Sequence, residues 1–149
     1  MIIRNKSGAV IVDMEATTDL SGFNLQDADF SAQNIEGLDL SDADLQGATF
    51  AGAHIYWLRL FRSKCRGCNF KGVRFSGAVL DGADLRETDF AGARISDDQV
   101  GIPSSMLEAD LTGANLSGAD LTGCQYDECT RFPVGFDPSS AGMLFIRRA

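Results

Sequence analysis

From Leu20 to Ile95 a large apolar residue stands at every fifth position; the sixteen positions hold seven Leu, five Phe, three Ile and Cys65. Two residues before them small side chains recur, at Ala28, Ala43, Ala48, Ala53, Ala78, Ala83 and Ala93. Two residues after them Gly is common, at 22, 37, 47, 52, 67, 72, 77, 82 and 92. A period of five matches neither the 3.6 of a helix nor the 2 of a strand, so no straight amphipathic element buries this stripe. The chain has to turn once per repeat. A short extended piece with one small and one large inward residue, then a glycine-permitted corner, satisfies the pattern if successive pieces wind into a solenoid whose coils hydrogen-bond to one another.

The units Ala28-Asp29-Phe30-Ser31-Ala32, Ala43-Asp44-Leu45-Gln46-Gly47, Ala83-Asp84-Leu85-Arg86-Glu87 and Ala114-Asn115-Leu116-Ser117-Gly118 carry the pattern in full. They resemble the pentapeptide-repeat family, whose motif is A(D/N)LXX, and the resemblance covers residues 16 to 130. It implies an all-β fold, a right-handed quadrilateral parallel β-helix in which four repeats make one square coil and residues 20 apart stack on one face. About five coils at ~4.8 Å each give a rod of about 25 Å before its caps.

The spacing breaks once. Ile95 to Leu111 is 16 residues rather than 15, so Ser96 to Met106, containing Gly101-Ile102-Pro103, is expected to bulge as a loop before Ala109-Asp110-Leu111 resumes. Beyond it Leu111, Leu116, Leu121 and Tyr126 continue the large series, with Ala109, Ala114, Ala119, Cys124 and Cys129 as small inward residues. Open coil ends are unpaired strand edges and need covers. Ile2-Ile3, a turn at Asn5-Lys6-Ser7-Gly8 and Val10-Ile11-Val12 read as a hairpin cap. Phe132-Pro133-Val134-Gly135-Phe136 with Met143-Leu144-Phe145-Ile146 read as a C-terminal cap that can also serve as a homodimer surface. The chain is thus read as one domain, 1–149: cap 1–15, repeats 16–95, loop 96–106, repeats 107–130 and cap 131–149.

At 149 residues and 44% hydrophobic content the chain is long enough for a real core. Its net charge of -8 argues against a generic binder of nucleic acid or anionic lipid. No apolar run reaches membrane-spanning length, and residues 1–15 lack the basic start and apolar centre of an export signal, so a cytoplasmic protein without membrane contact is expected. With one His, no G-x-S-x-G elbow and no phosphate loop, neither enzymatic activity nor a cofactor is expected. Cys65-Arg66-Gly67-Cys68 resembles half a zinc site but no second pair follows. Its register offers a simpler account: Cys65 stacks between Leu45 and Leu85 and Cys68 between Ala48 and Thr88, as packed thiols with no metal. Cys124 and Cys129 read as reduced, packed thiols as well.

Asp29, Asp39, Asp44, Asp84, Asp89, Asp110 and Asp120 all sit one position before a large residue, which reads as an outward, solvated ladder rather than as acid–base catalysts. Some members of the family mimic DNA, bind type II topoisomerases and confer quinolone resistance, so the resemblance implies gyrase as an alternative partner. Residues 7–58 carry nine acids and no base, but residues 59–74 carry six bases and no acid, which interrupts such a mimic.

In that belt, stacking at 20 residues places Arg59 beside Asp39, Arg62 beside Asp42, and Lys64 between Asp44 and Asp84. Lys71 falls between Ala51 and Ala91, Arg66 between Gln46 and Arg86, and Arg74 between His54 and Arg94, all without acids. Tyr56 and Trp57 occupy outward slots where the repeat usually has polar residues or Gly, and Phe61 is outward on the next face. Trp, Tyr and Arg are the residue types concentrated at binding hot spots. The sequence therefore marks His54, Tyr56, Trp57, Phe61, Arg74 and Arg94 as a recognition patch on a non-enzymatic protein-binding scaffold of unidentified partner. The competing account has Tyr56 and Trp57 folded over a corner or lying under the 96–106 loop. A third reading is an anion or nucleic-acid contact through the Arg66/Arg86 and Arg74/Arg94 columns with stacking on Trp57 or Tyr56.

Overall fold

The computed structural model describes residues 1–13, 18–96 and 101–148, and among these there is no helix. The strands are Ile2–Asn5 (β1), Val10–Asp13 (β2), Ala28–Asp29 (β3), Asn34–Glu36 (β4), His54–Tyr56 (β5), Arg74–Ser76 (β6), Gln125–Tyr126 (β7) and Leu144–Phe145 (β8). Short as they are, β3 to β8 belong to four parallel ladders that isolated bridges complete. Asp19, Asp39, Arg59 and Val79 form one; Asn24, Asp44, Lys64 and Asp84 the next; Asp29, Thr49, Asn69 and Asp89 the third. The fourth is β4–β5–β6, continued from Arg74 to Arg94. Each residue pairs with one 20 positions away, so four five-residue units pass before the chain returns alongside itself.

All sixteen large positions from Leu20 to Ile95 are buried. Phe30, Phe50, Phe70 and Phe90 stack nearly parallel, with centroids 4.6, 5.0 and 4.8 Å apart. That is the spacing of paired strands, about 4.8 Å, so the backbone ladder itself sets the rings at stacking distance.

The corners explain the rest of the pattern. The second residue after the large one has a left-handed backbone, whether it is Gly or one of Asp27, Ala32, Asp42, Trp57, Arg62 and Glu87, whose φ lies between 54° and 59°. Glycine reaches this conformation without Cβ strain, hence its recurrence there. The Asp before the large residue turns its Oδ1 inward to accept the N–H two residues on: Ser21 to Asp19, Ser31 to Asp29, Ser41 to Asp39, Ala91 to Asp89, Thr112 to Asp110 and Thr122 to Asp120, at 2.9–3.1 Å. These acids are turn-makers as well as surface charge.

The break after Ile95 differs from the sequence expectation. Val79 pairs with Ser105, Asp84 with Asp110 and Arg94 with Asp120, each 26 residues on, so six residues are inserted. The loop therefore ends sooner than residue 106. Met106 is fully buried in a large position, and buried Ser104 fills the small one, its Oγ accepting the Ala78 N–H at 3.1 Å. A second, one-residue insertion shifts Asp110 onto Arg131 and corrects the placement of Cys129, which is exposed rather than inward. Asp127 turns in instead, accepting the N–H groups of Glu108, Cys129 and Thr130, each at 3.0 Å. Burial alone would raise its carboxyl above the ordinary value; those donors and the Thr130 hydroxyl outweigh it and hold the group below.

At the N-terminus β1 pairs antiparallel with β2 and, on its other side, with β3, laying the hairpin across the end of the stack. At the other end β8 continues the ladder from β7, and Tyr126 meets Phe132 and Phe145 edge-on.

Candidate binding surface

On β5, Ile55 is inward and fully buried while His54 and Tyr56 flank it on the outside, the alternation of any strand. The ladder carries His54 onto Arg74 and Arg74 onto Arg94, so the cationic column read from the sequence is a set of paired backbone neighbours. It has acids at its margins: Arg94 pairs onward to Asp120, whose carboxyl is held below its ordinary value chiefly by the Thr122 hydroxyl and N–H, with a smaller contribution from Arg94. Glu36 lies beside Tyr56 in the neighbouring row. Among the described residues no ion pair engages Lys71, Arg74 or Arg94.

Trp57 is the bulkiest residue at any of the left-handed corners, with φ 54°. Its N–H donates to the Ser76 carbonyl at 2.8 Å, which fixes the corner. The indole then leans along the stack over buried Gly77, its Cδ1 2.8 Å from where a Cβ on that glycine would stand, and Ile102 Cγ2 is 3.1 Å from the same point. Only a glycine leaves room there. Tyr56 and Trp57 are each 48% exposed and Ile102 is 42% exposed, so Ile102 flanks the indole without burying it. Phe61 is 45% exposed on the adjacent face, with the Arg62 guanidinium 6.0 Å from its ring centre, above a shallow depression shared with Asp81, Gly82 and Glu108.

The fold thus brings His54, Tyr56, Trp57, Arg74 and Arg94 onto one face and its corner, and leaves Phe61 around the next edge. One member of this surface was missed in the sequence. Ile102 was hidden by the inserted loop, whose return point only the register of Ser104 and Met106 reveals.

Other columns are neutralised. Arg59 reaches Asp39 at 3.9 Å and Arg62 reaches Asp42 at 3.6 Å. Arg66 and Arg86 are corrected from an acid-free column: Arg66 bonds Glu87 at 2.9 Å, one residue off the vertical, and Arg86 bonds Asp84 at 2.7 Å. Lys64 does stack between Asp44 and Asp84, but Gln26 and Arg86 bond those carboxylates. Cys65 and Cys68 lie in the core, Cys68 Sγ donating to the Leu45 carbonyl at 2.9 Å; its bond with Cys65 and its burial raise the Cys68 thiol far above the reactive range. Burial pushes the Cys124 thiol up to about 12. Among the described residues no group of three or more His, Cys, Asp or Glu is placed to hold a metal, and no helix is long and apolar enough to cross a membrane.

The sequence matches the family model described as pentapeptide repeats in eight copies, over residues 18–56, 59–97 and 104–125. The chain belongs to the pentapeptide-repeat family. Among solved structures, alr5209, a pentapeptide repeat protein from Nostoc PCC 7120, is 32% identical over 87% of this chain and 85% of its own, with a TM-score of 0.38. The pentapeptide repeat protein Rfr23 from the cyanobacterium Cyanothece 51142 is 19% identical over 77% of this chain and 91% of its own, with a TM-score of 0.44. A trypsin-treated form of QnrB1, a plasmid-mediated fluoroquinolone resistance protein, is 16% identical over 79% of this chain and 64% of its own, with a TM-score of 0.38. No curated protein matches the sequence. The motif's fixed positions in this chain are the small inward residues, the turn-making acids and the core stripe; His54, Arg74 and Arg94 replace the acid of the motif, and Tyr56 and Trp57 fill its free positions.

Proposed function

We propose that this pentapeptide-repeat chain, wound as a right-handed quadrilateral β-helix of about five coils, is a non-enzymatic scaffold that binds a protein partner through the surface of His54, Tyr56, Trp57, Arg74 and Arg94, with Phe61 at its edge. The observation that carries this reading is Trp57. It occupies a left-handed corner where the repeat favours Gly, and it is half exposed beside Tyr56 and Ile102. A bulky side chain held on disfavoured backbone, and not for the sake of full burial, is the kind of local cost found at functional surfaces. The aromatic pair next to guanidinium groups that form no ion pair among the described residues matches the residue types that anchor protein interfaces.

A second reading, an acidic rod that imitates DNA and binds a type II topoisomerase such as gyrase, draws on the nine acids of residues 7–58. Against it, several of those acids serve corners, and Lys6, Arg59 and Arg62 pair with Asp27, Asp39 and Asp42. The test is affinity capture from the host lysate with the wild type and with a Tyr56→Ala plus Trp57→Ala variant, both confirmed folded by circular dichroism. A partner held by the wild type and lost by the variant supports the aromatic surface. Gyrase held equally by both would transfer the function to the acidic faces.

A further inference from the structure

We propose that this surface takes a short, extended acidic segment of the partner, with two or three carboxylates over the His54–Arg74–Arg94 column and an apolar side chain against Tyr56, Trp57 and Ile102. The inference rests on the protein-binding reading above and specifies its ligand chemistry. Successive rungs of the column are paired backbone neighbours, so His54, Arg74 and Arg94 lie about 4.8 Å apart and span about 10 Å at the backbone. Alternate side chains of an extended peptide repeat at about 6.8 Å, and long Arg side chains take up that mismatch. Arg guanidinium groups bind carboxylates through paired N–H donors, and among the described residues neither Arg74 nor Arg94 forms an ion pair, Arg94 acting on Asp120 only at longer range.

The boundaries of the cation island select for length. Asn34 precedes His54 in the ladder, Asp120 follows Arg94, and Glu36 lies beside Tyr56. A polyanion continuing beyond about three charges would meet Asp120 or Glu36, and the molecule as a whole carries -8. A short acidic stretch avoids both, whereas a nucleic-acid strand does not. The apolar anchor point is set by the exposed edge of Trp57 over Gly77, which Ile102 borders on the side of the inserted loop.

Trp57 is the single tryptophan of the chain and reports directly on its own surface. The experiment is a fluorescence titration of the full chain at low salt with three probes: a ten-residue peptide with Glu at alternate positions and a terminal Leu, the same peptide with Gln for Glu, and an oligothymidylate of ten nucleotides. The proposal expects saturable change in Trp57 emission with the Glu peptide, at least tenfold weaker binding of the Gln peptide and of the oligonucleotide, and at least tenfold loss in an Arg74→Gln plus Arg94→Gln variant. No saturable change with the Glu peptide at millimolar concentration, equal binding of the Gln peptide, or equal or tighter binding of the oligonucleotide overturns it. An emission that shifts with protein concentration alone would make the occupant a second copy of the chain, which also overturns it. If a captured partner depends on Tyr56 and Trp57 but is indifferent to the Arg74→Gln plus Arg94→Gln change, the acidic segment falls while the protein-binding reading stands.

Discussion

At the corner after Ile55, a tryptophan stands where the repeat asks for glycine, and two substitutions separate its backbone cost from its side-chain contribution. Trp57→Ala keeps a Cβ on left-handed backbone and removes the indole, whereas Trp57→Gly removes both. The glycine variant should be the more stable of the two by roughly 0.5–1 kcal/mol, seen as a melting temperature about 2–3 °C higher. Equal melting temperatures would mean that the corner is unstrained. Gly77→Ala, in contrast, drives a Cβ into the Trp57 and Ile102 side chains on backbone at φ 61°. Displacement of the indole by that methyl group should change the Trp57 emission while far-ultraviolet circular dichroism stays as in the wild type. At the other end Asp127, with three backbone donors aimed at its Oδ1, is the polar group the fold can least lose. Asp127→Ala should cost about 2–3 kcal/mol by denaturant unfolding, because the Glu108 and Cys129 N–H groups lose their acceptor at once while the Thr130 N–H keeps only the Asp127 backbone carbonyl; Asp127→Asn retains a side-chain acceptor.

The commonest five-residue unit combines an inward apolar pair, an outward Asp or Asn, and a left-handed corner. The apolar pair and the glycines were plain in the sequence because both are set by backbone geometry that admits few residue types. The acids were only half legible: their place before the large residue was clear, but not that Oδ1 of Asp89, for one, accepts the Ala91 N–H at 2.9 Å. Asp89→Ala should therefore destabilise the fold by about 1 kcal/mol, unlike an ordinary surface acid; a change within error of zero would return Asp89 to the role of plain surface charge. The length of the insertion after Ile95 was misread for a physical reason. Ser104-Ser105-Met106 occupies the repeat geometry with none of its usual residue types, since a serine in the small slot is acceptable once its hydroxyl takes the Ala78 N–H. Cys129 was misplaced because one added residue turns Asp127 inward, and a buried acid is legible only when its donors are known. Arg66 found Glu87 by reaching diagonally, which a strictly vertical stacking rule does not allow for.

Over the whole molecule, folding makes several carboxyls more acidic than they are in the unfolded chain: Asp29 and Asp120 through the hydroxyl and N–H of Ser31 and Thr122, Asp84 through Arg86. A depressed carboxyl contributes stability that is present above its unfolded value and is lost as pH falls through the folded one. The melting temperature should thus hold steady near neutrality and fall progressively below about pH 5, where unfolded carboxyls begin to take up protons. The same stack that uses acids at its corners leaves one face cationic and aromatic, and this asymmetry is what the proposed function rests on. It is tested most directly by site-specific photocrosslinking in the host, with benzoylphenylalanine replacing Tyr56 in one version of the chain and Asn24, among the acidic rungs, in another. The account predicts one discrete adduct from position 56 and none from position 24. An adduct with the same polypeptide from position 24 alone would contradict it and make the acidic faces the working surface.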